Sequence, residues 1–524
     1  MKIGRIIAGT VLVVAAALAV AIVPVHATPA FGAGQQYTLA ADSDSSDITG
    51  DDPAADEQPD PCEVNGHSYT YADSKDGAHH VATCGVCGAT VTQGHSWSKS
   101  ACTKCGATFA APKITALQNT ATGIKVAWQK TSGTPKYRVY RKFGSGNWKA
   151  LTDTTALSYT DKTAVAGKDY RYTVRSISPA WSVFNNTGRA IRCLKAPTMK
   201  NLLHVDAGVR IYWNKTPGAR GYIVYRKAGS GSFVKLGSTH NLTYTDRKAK
   251  AGVKYTYTVR TYGPNCASVL KTTGRTIQLI EWNPKWTYAG YSKIHSDTAA
   301  LYTSPSAKRK GIVVAINAGH GTRGGSSVYT LCHPNGTAKV TGGSTAAGSR
   351  YATSIADGTT LSGGTPEASA TLKVAMVTRG KLLAAGYDVL MLREDGNAQF
   401  DNIARTVIAN RFADCHISIH YDSTSSDKGA FYISVPNVGS YRNMQPVKSH
   451  WRQHNALGSS LVRGLRGKGV KIMGGGSMAI DLTQTSYSTI PSVDLEVGDR
   501  ASSRSAAQVN RIANGIVAGV NSYF

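Results

Sequence analysis

The feature that most constrains this chain is an internal repeat without gaps. The stretch GIKVAWQKTSGTPKYRVYRKFGSG, starting at Gly123, returns as GVRIYWNKTPGARGYIVYRKAGSG at Gly208. The offset of 85 residues holds through Trp128 and Trp213, Tyr140 and Tyr225, Asp161 and Asp246, and Tyr172 and Tyr257. A repeat of that length sets the size of one module. Runs such as YRVYRK and YRYTVR alternate apolar with polar residues, as strands with one wet face must. Two all-β sandwich modules in tandem are therefore expected over 111–194 and 195–280.

The Trp on an early strand of each copy, and the Tyr opening YRYTV after AGKD, together resemble the fibronectin type III domain with its tyrosine corner. That resemblance implies spacers or weak binders of sugars and walls. Exposed Lys and Arg along both copies fit an anionic polymer, and a solvated strand face explains them equally well. Cys193 and Cys266 are not at equivalent repeat positions, so buried thiols and a single bridge both remain open.

At 524 residues the chain is too long for one core. Its first residues read as an export signal over 1–27: Lys2 and Arg5, an apolar run from Ile6 to Val23, then Val25 and Ala27 in a small-x-small cleavage pattern. The run is long for a signal core, which leaves an uncleaved membrane anchor as the alternative. Residues 28–61 are expected to be a disordered acidic linker, since Ala41 to Asp60 holds eight acids and no Lys or Arg. The rest is then more basic than the net charge of +28 indicates. In an exported chain, secreted or wall-associated, the polyanions such a balance suits are wall polymers or lipid headgroups rather than nucleic acid, and a merely soluble basic surface explains it equally well.

Between residues 62 and 110 a second repeat appears. GHSY at Gly66 recurs as GHSW at Gly94, and CGVCGAT at Cys84 recurs as CTKCGAT at Cys102. Each unit is a His followed by a Cys-x-x-Cys-Gly knuckle, with fourteen residues between the knuckles. Cys84, Cys87, Cys102 and Cys105 are candidate ligands of structural zinc, with Cys62, His67, His79, His80 and His95 as further candidates. Disulfides are the competing reading in an oxidising compartment. Zinc is favoured because the histidines repeat with the cysteines. The segment resembles small zinc-ribbon-like repeats of bacterial surface proteins.

After the stretch EWNPKWTYAGYSK, within a linker expected over 281–310, strands alternate with helices, which indicates an α/β domain over 311–524 with a mostly parallel sheet. IVVAINAGHG reads as a strand ending at His320, on a turn that glycines leave bare. TPEASATLKVAMVTRGKLLAAG reads as a helix capped by Thr365 and opened by Pro366 and Glu367. Its apolar stripe is Leu372, Ala375, Met376, Val377, Leu382 and Leu383. CHISIHYDS is a strand ending near His420, and IPSVDLEVGD a strand ending near Glu496. Two His and a carboxylate are the ligand set of an open catalytic zinc site, and a second carboxylate serves as base and acid.

Together these stretches resemble the zinc-dependent N-acetylmuramoyl-L-alanine amidases of amidase type 3. By that resemblance His320, Glu367 and His420 hold zinc, and Glu496 is the catalytic carboxylate. Arg393 and Arg405 also fit the family's spacing. The reaction implied is cleavage of the amide between N-acetylmuramic acid and L-alanine in peptidoglycan by zinc-activated water, as an autolysin would perform it. Two alternatives stand beside it: a wall-binding or adhesion protein with an inactive amidase domain, and a zinc peptidase acting within the stem peptide.

The chain departs from the family at Asn317-Ala318, at Tyr421-Asp422, and at Asp494, where the family is apolar. It also places 46 residues between His320 and Glu367, which suggests a loop insertion around the site. The remaining histidines are assigned structural roles: His416 in the core, His333 on the surface, His450 and His454 on a solvated helix face. Cys332 and Cys415 have no activating base nearby.

Overall fold

The computed structural model describes residues 61–133 and 136–524. The expected signal segment, and the acidic stretch up to residue 60, lie outside the described residues. In the first of two compact units, Met1–Gly66, the described residues form a single helical turn, Pro61–Asn65. Everything below belongs to the second unit, His67–Phe524. Among the described residues no helix is long and apolar enough to cross a membrane.

The Cys/His repeats build a small antiparallel sheet, with His79–Cys84 between Tyr69–Asp73 and Thr90–Gly94, followed by a hairpin pairing Trp97–Ser98 with Ala101–Cys102. Each 85-residue copy then forms two facing sheets. In the first copy Ile114–Asn119, Ile124–Trp128 and Ser158–Asp161 face a four-stranded sheet centred on Lys136–Phe143 and Asp169–Ser178. The repeat is reproduced at atomic detail: Tyr172 Oη donates to Asp161 Oδ2 at 2.6 Å, and Tyr257 Oη to Asp246 Oδ2 at 2.8 Å. Arg141 and Arg226 donate to the same two carboxylates. Trp128 and Trp213 are buried, as the alternation requires. Cys193 and Cys266 are free thiols, so they form no bridge.

The second copy does not stop at its own edge. Its last strand, β1 (Arg275–Glu281), pairs antiparallel with β2 (Thr298–Thr303), and β2 pairs antiparallel with β4 (Asp388–Met391) of the α/β domain. β4 flanks β3 (Val313–Ala318) in parallel, and β3 flanks β5 (Cys415–Asp422) in parallel. Next come β8 (Ser492–Asp499), β6 (Ala430–Ser434) and β7 (Ile472–Ala479), giving the order β1-β2-β4-β3-β5-β8-β6-β7. The sheet of the α/β domain is mostly parallel, with antiparallel pairs at β2/β4 and β6/β8. Sandwich and α/β domain thus share one hydrogen-bonded sheet.

The helices α1 (Glu367–Ala384), α2 (Asn402–Phe412), α3 (Val447–Arg466) and α4 (Ala506–Tyr523) accompany it. α1 buries Val374, Ala375, Leu382 and Leu383, while Leu372, Met376 and Val377 are only partly covered. Thr365 does not cap it: Thr365 pairs with Leu361 in a short ladder, and Pro366 precedes the first turn without a side-chain cap.

The segment 281–310 is docked along much of its length. Trp282 and Trp286 pack against α2, and Asp401, the N-cap of α2, accepts the amides of Lys293 and Ile294 at 2.6 and 3.0 Å. Across the module junction, the buried carboxylate of Glu394 is paired with Arg379 and accepts from Tyr302 Oη, which in turn accepts the amide of His204. A buried charge must be paired in this way to be tolerated.

Candidate active site

The site lies at the carboxyl ends of parallel strands β3, β5 and β8, where open α/β sheets place their ligands. β3 ends at Ala318 and the chain turns sharply, with His320 at φ +64° and Gly321 at φ +77°. The glycines around this histidine have separate reasons. A Cβ on Gly319 would come within 2.3 Å of the His420 ring, and one on Gly321 within 2.7 Å of the Arg393 guanidinium. The bare turn is what lets two imidazoles approach.

Both arginines are buried and hold the turn by its carbonyls. Arg393 donates to Ala318 O and Gly319 O at 3.0 Å each. Arg405 donates to Ala318 O at 3.0 Å, His320 O at 2.8 Å and Asn317 Oδ1 at 2.8 Å. Asn317, one of the departures from the family pattern, is therefore an acceptor for a buried guanidinium. Burial, then the neighbouring Arg393, bring Arg405 down to about 9.

Three ligand-type atoms converge. His320 Nε2 lies 2.9 Å from Glu367 Oε1 and 3.0 Å from His420 Nδ1, and His420 Nδ1 lies 3.2 Å from Glu367 Oε1. Metal–nitrogen and metal–oxygen distances of about 2.0–2.2 Å make the edge of a tetrahedral site roughly 3.3–3.5 Å. The observed separations sit slightly inside that edge, and all three residues line the cleft. Burial opposes charge on His420, yet the carboxylates of Asp494 and Glu367 overcome it and push the imidazole up to about 10. Burial likewise opposes the Glu367 carboxylate, and hydrogen bonds to His320 and His420 outweigh it, so Glu367 is held well below the usual carboxylate range. The pocket favours positive charge, which a metal ion held by neutral imidazoles would supply.

The insertion between His320 and Glu367 is part of this site. His320 Nδ1–H donates to Ala356 O at 2.7 Å, which leaves the Nε2 lone pair facing the ligand cluster. Thr359 N–H donates to Glu367 Oε2 at 3.0 Å, and Tyr421 N–H to Glu367 Oε1 at 3.1 Å. Between these contacts Gly358, at φ +85°, passes so close that a Cβ would be 2.7 Å from the His320 ring and 3.1 Å from Glu367 Oε2. Farther out, Asp481 anchors the insertion by accepting from Val340 N at 2.6 Å, Lys339 Nζ at 3.0 Å and His333 Nε2 at 3.1 Å. Residues 352–359 then wall a cleft of about 690 Å³ that also exposes the metal-type triad, Asp494 and Glu496.

Glu496 sits on β8 beside His420 of β5, in register. Its Oε2 is buried and has no hydrogen-bond partner among the described residues, and Asp494 Oδ1 is in the same condition two positions earlier. A buried polar atom without a partner needs an explanation; here both point to a cleft that must receive polar groups. Burial, then the charge of Asp494, raise Glu496 well above the usual carboxylate range.

Several expectations need correction. His333 is buried rather than on the surface, because Asp481, 148 residues away in sequence, takes its Nε2. His454 is buried rather than solvated, accepting the Ser492 amide at Nδ1. His416 is a core residue as expected, with burial, then Arg405, lowering it to about 3. Cys415 is pushed up by burial and Cys332 is buried. The four knuckle cysteines do not gather at one point: Cys84 and Cys87 stand with His67, and Cys102 and Cys105 with His80 and His95. His79 points away to Asp76, at 2.7 Å.

Comparison with known proteins agrees with the α/β geometry. Residues 314–522 match the Amidase_3 family, described as N-acetylmuramoyl-L-alanine amidase, and this match supports a peptidoglycan amidase. Among solved structures, the N-acetylmuramyl-L-alanine amidase Ami1 from Mycobacterium smegmatis is 20% identical, with a TM-score of 0.34, over 42% of this chain and 98% of that one. Two curated relatives are similar over about a quarter of this chain. Exoglucanase B of Cellulomonas fimi is 29% identical over 28% of this chain, and the poly(3-hydroxybutyrate) depolymerase of Ralstonia pickettii 30% identical over 26%. The chain spans only 15% and 26% of these two relatives.

Proposed function

We propose that this chain is an exported, zinc-dependent N-acetylmuramoyl-L-alanine amidase that cleaves the amide joining the lactyl group of N-acetylmuramic acid to L-alanine in peptidoglycan. The observation that carries the reading is the convergence of His320, Glu367 and His420 within 3.2 Å beside an unpartnered Glu496. These three residues would hold the metal, which when bound polarises the scissile carbonyl and makes water more acidic. Glu496 takes a proton from the attacking water and returns it to the nitrogen of the leaving L-alanine. Its raised affinity for protons suits it to both steps. Arg393 and Arg405 keep the His320 turn fixed, and the wall formed by residues 352–359 limits water and orients the glycopeptide.

The fibronectin type III-like copies, rigidly continuous with the catalytic sheet at the second one, would hold the active site at a set distance from a wall-bound segment. Anionic wall polymers are the partners their basic surface suits. Digestion of purified peptidoglycan by the full chain should release new amino groups without new reducing ends, and lose this activity to a chelator. New reducing ends would instead mean glycosidic cleavage.

Asp494 adds a pH dependence. A general base works deprotonated, so the acidic limb of the pH profile of kcat/KM reports its titration. Removing the Asp494 charge lowers the proton affinity of Glu496. Asp494→Leu should therefore move the acidic limb to lower pH while leaving the protein folded; an unmoved limb would remove the role of Asp494.

A further inference from the structure

We propose that His80, His95, Cys102 and Cys105 form a structural zinc centre that staples the two Cys-x-x-Cys repeats together, with His80 lent by the first repeat to the knuckle of the second. This proposal is independent of the amidase reading.

The four ligand atoms lie within 4.8 Å of one another. Cys102 Sγ is 3.6 Å from His80 Nδ1, and Cys105 Sγ is 3.5 Å from His95 Nδ1. A tetrahedral zinc with bonds of about 2.3 Å to sulfur and 2.0–2.1 Å to nitrogen has a sulfur–nitrogen edge of about 3.6 Å. Both ring nitrogens thus already stand at ligand spacing from the sulfur they face. His80 and Cys102 are buried, and the His95 side chain is fully covered. Cys102 Sγ accepts the amide of Lys104 at 3.4 Å, a donor that favours thiolate. On the far side of its ring, His95 Nε2 faces Asp73 Oδ1 at 3.6 Å.

The segment also lacks an apolar core of its own. From residue 67 to 110 the buried hydrophobic residues are Ala82, Cys84, Cys102 and Phe109, and every residue of the strand Thr90–Gly94 is exposed. So little apolar burial leaves the segment short of what normally offsets the entropy of ordering a chain. Metal binding contributes folding free energy where such a core is lacking. A Cys102–Cys105 disulfide would leave two imidazoles aimed at sulfur without a purpose. Two thiolates and two imidazoles in a tetrahedral arrangement select zinc over harder cations.

Placement on the strand gives the centre its role. In His79–Cys84, burial alternates so that His80, Ala82 and Cys84 face inward. His80 serves the second knuckle, while Cys84 stands with His67 and Cys87 of the first, Cys87 Sγ being 3.3 Å from His67 Nδ1. One strand therefore carries, about 13 Å apart, a ligand for each cluster. Loading the second site fixes the strand on which the first is built.

The test uses the full chain, metal-loaded and then chelated, with thiol alkylation mapped by mass spectrometry. Cys102 and Cys105 should be protected when loaded and alkylate roughly tenfold faster or more after chelation. Cobalt(II) reconstitution of the same chain should give sulfur-to-cobalt charge-transfer absorption with tetrahedral ligand-field bands. His80→Ala should raise alkylation of Cys102 and Cys105 in the loaded chain. A Cys102–Cys105 disulfide, or alkylation unaffected by metal, would overturn the centre. Protection that survives His80→Ala would overturn the link between repeats.

Discussion

Glu496→Gln lowers kcat on peptidoglycan by about 10²–10⁴-fold while the protein keeps its metal. Gln fills the same space on β8, so the strand and its register with His420 persist. It accepts no proton, so both the activation of water and the protonation of the leaving amine are lost. One oxygen of the wild-type carboxylate is buried without a partner among the described residues, and a neutral amide is no harder to bury; stability should hold or rise. The check is kcat with metal content and thermal unfolding measured on the same sample. A variant with kcat near wild type would remove Glu496 from the chemistry.

Gly358→Val weakens metal binding by roughly 10–100-fold, although residue 358 is no ligand. Its φ of +85° disfavours a β-branched residue, and its Cβ would press on the His320 ring and on Glu367. The loop must retreat, withdrawing the Ala356 carbonyl from His320 and the Thr359 amide from Glu367. His320 then loses the acceptor that orients it, and Glu367 one of its two backbone donors. Competition with a chromophoric chelator measures the affinity. Gly342→Val is the control, since nothing lies within 4 Å of a Cβ there. Equal affinities for the two variants would mean that the insertion merely covers the site.

The parts of the site legible in the sequence were those written in side-chain types along one strand or helix. His320, Glu367, His420 and Glu496 each stand where a local pattern ends, and the 85-residue offset reappears in the matched Tyr–Asp–Arg contacts of both sandwiches. The support for the ligands was not legible. It comes from backbone atoms of Ala356 and Thr359, which any residue could supply, and from a glycine whose neighbours are distant in sequence. The burial of His333 and His454 was hidden for the same reason: their partners lie 148 and 38 residues away. The linker reading of 281–310 failed to anticipate β2 because a six-residue strand between polar turns has no signature beyond its neighbours.

The continuity of β1, β2 and β4 also bears on how the enzyme is tested. Cutting the chain at the start of the α/β domain would strip β2 from β4 and expose the Glu394 pair. The most direct measurement therefore uses the full chain, incubated with purified peptidoglycan, with fragments sequenced by mass spectrometry. Free stem peptides beginning with L-alanine and glycan strands bearing intact lactyl groups are expected, both absent after chelation. Muropeptides that keep L-alanine on the lactyl group, with cuts inside the stem, would contradict the amidase reading.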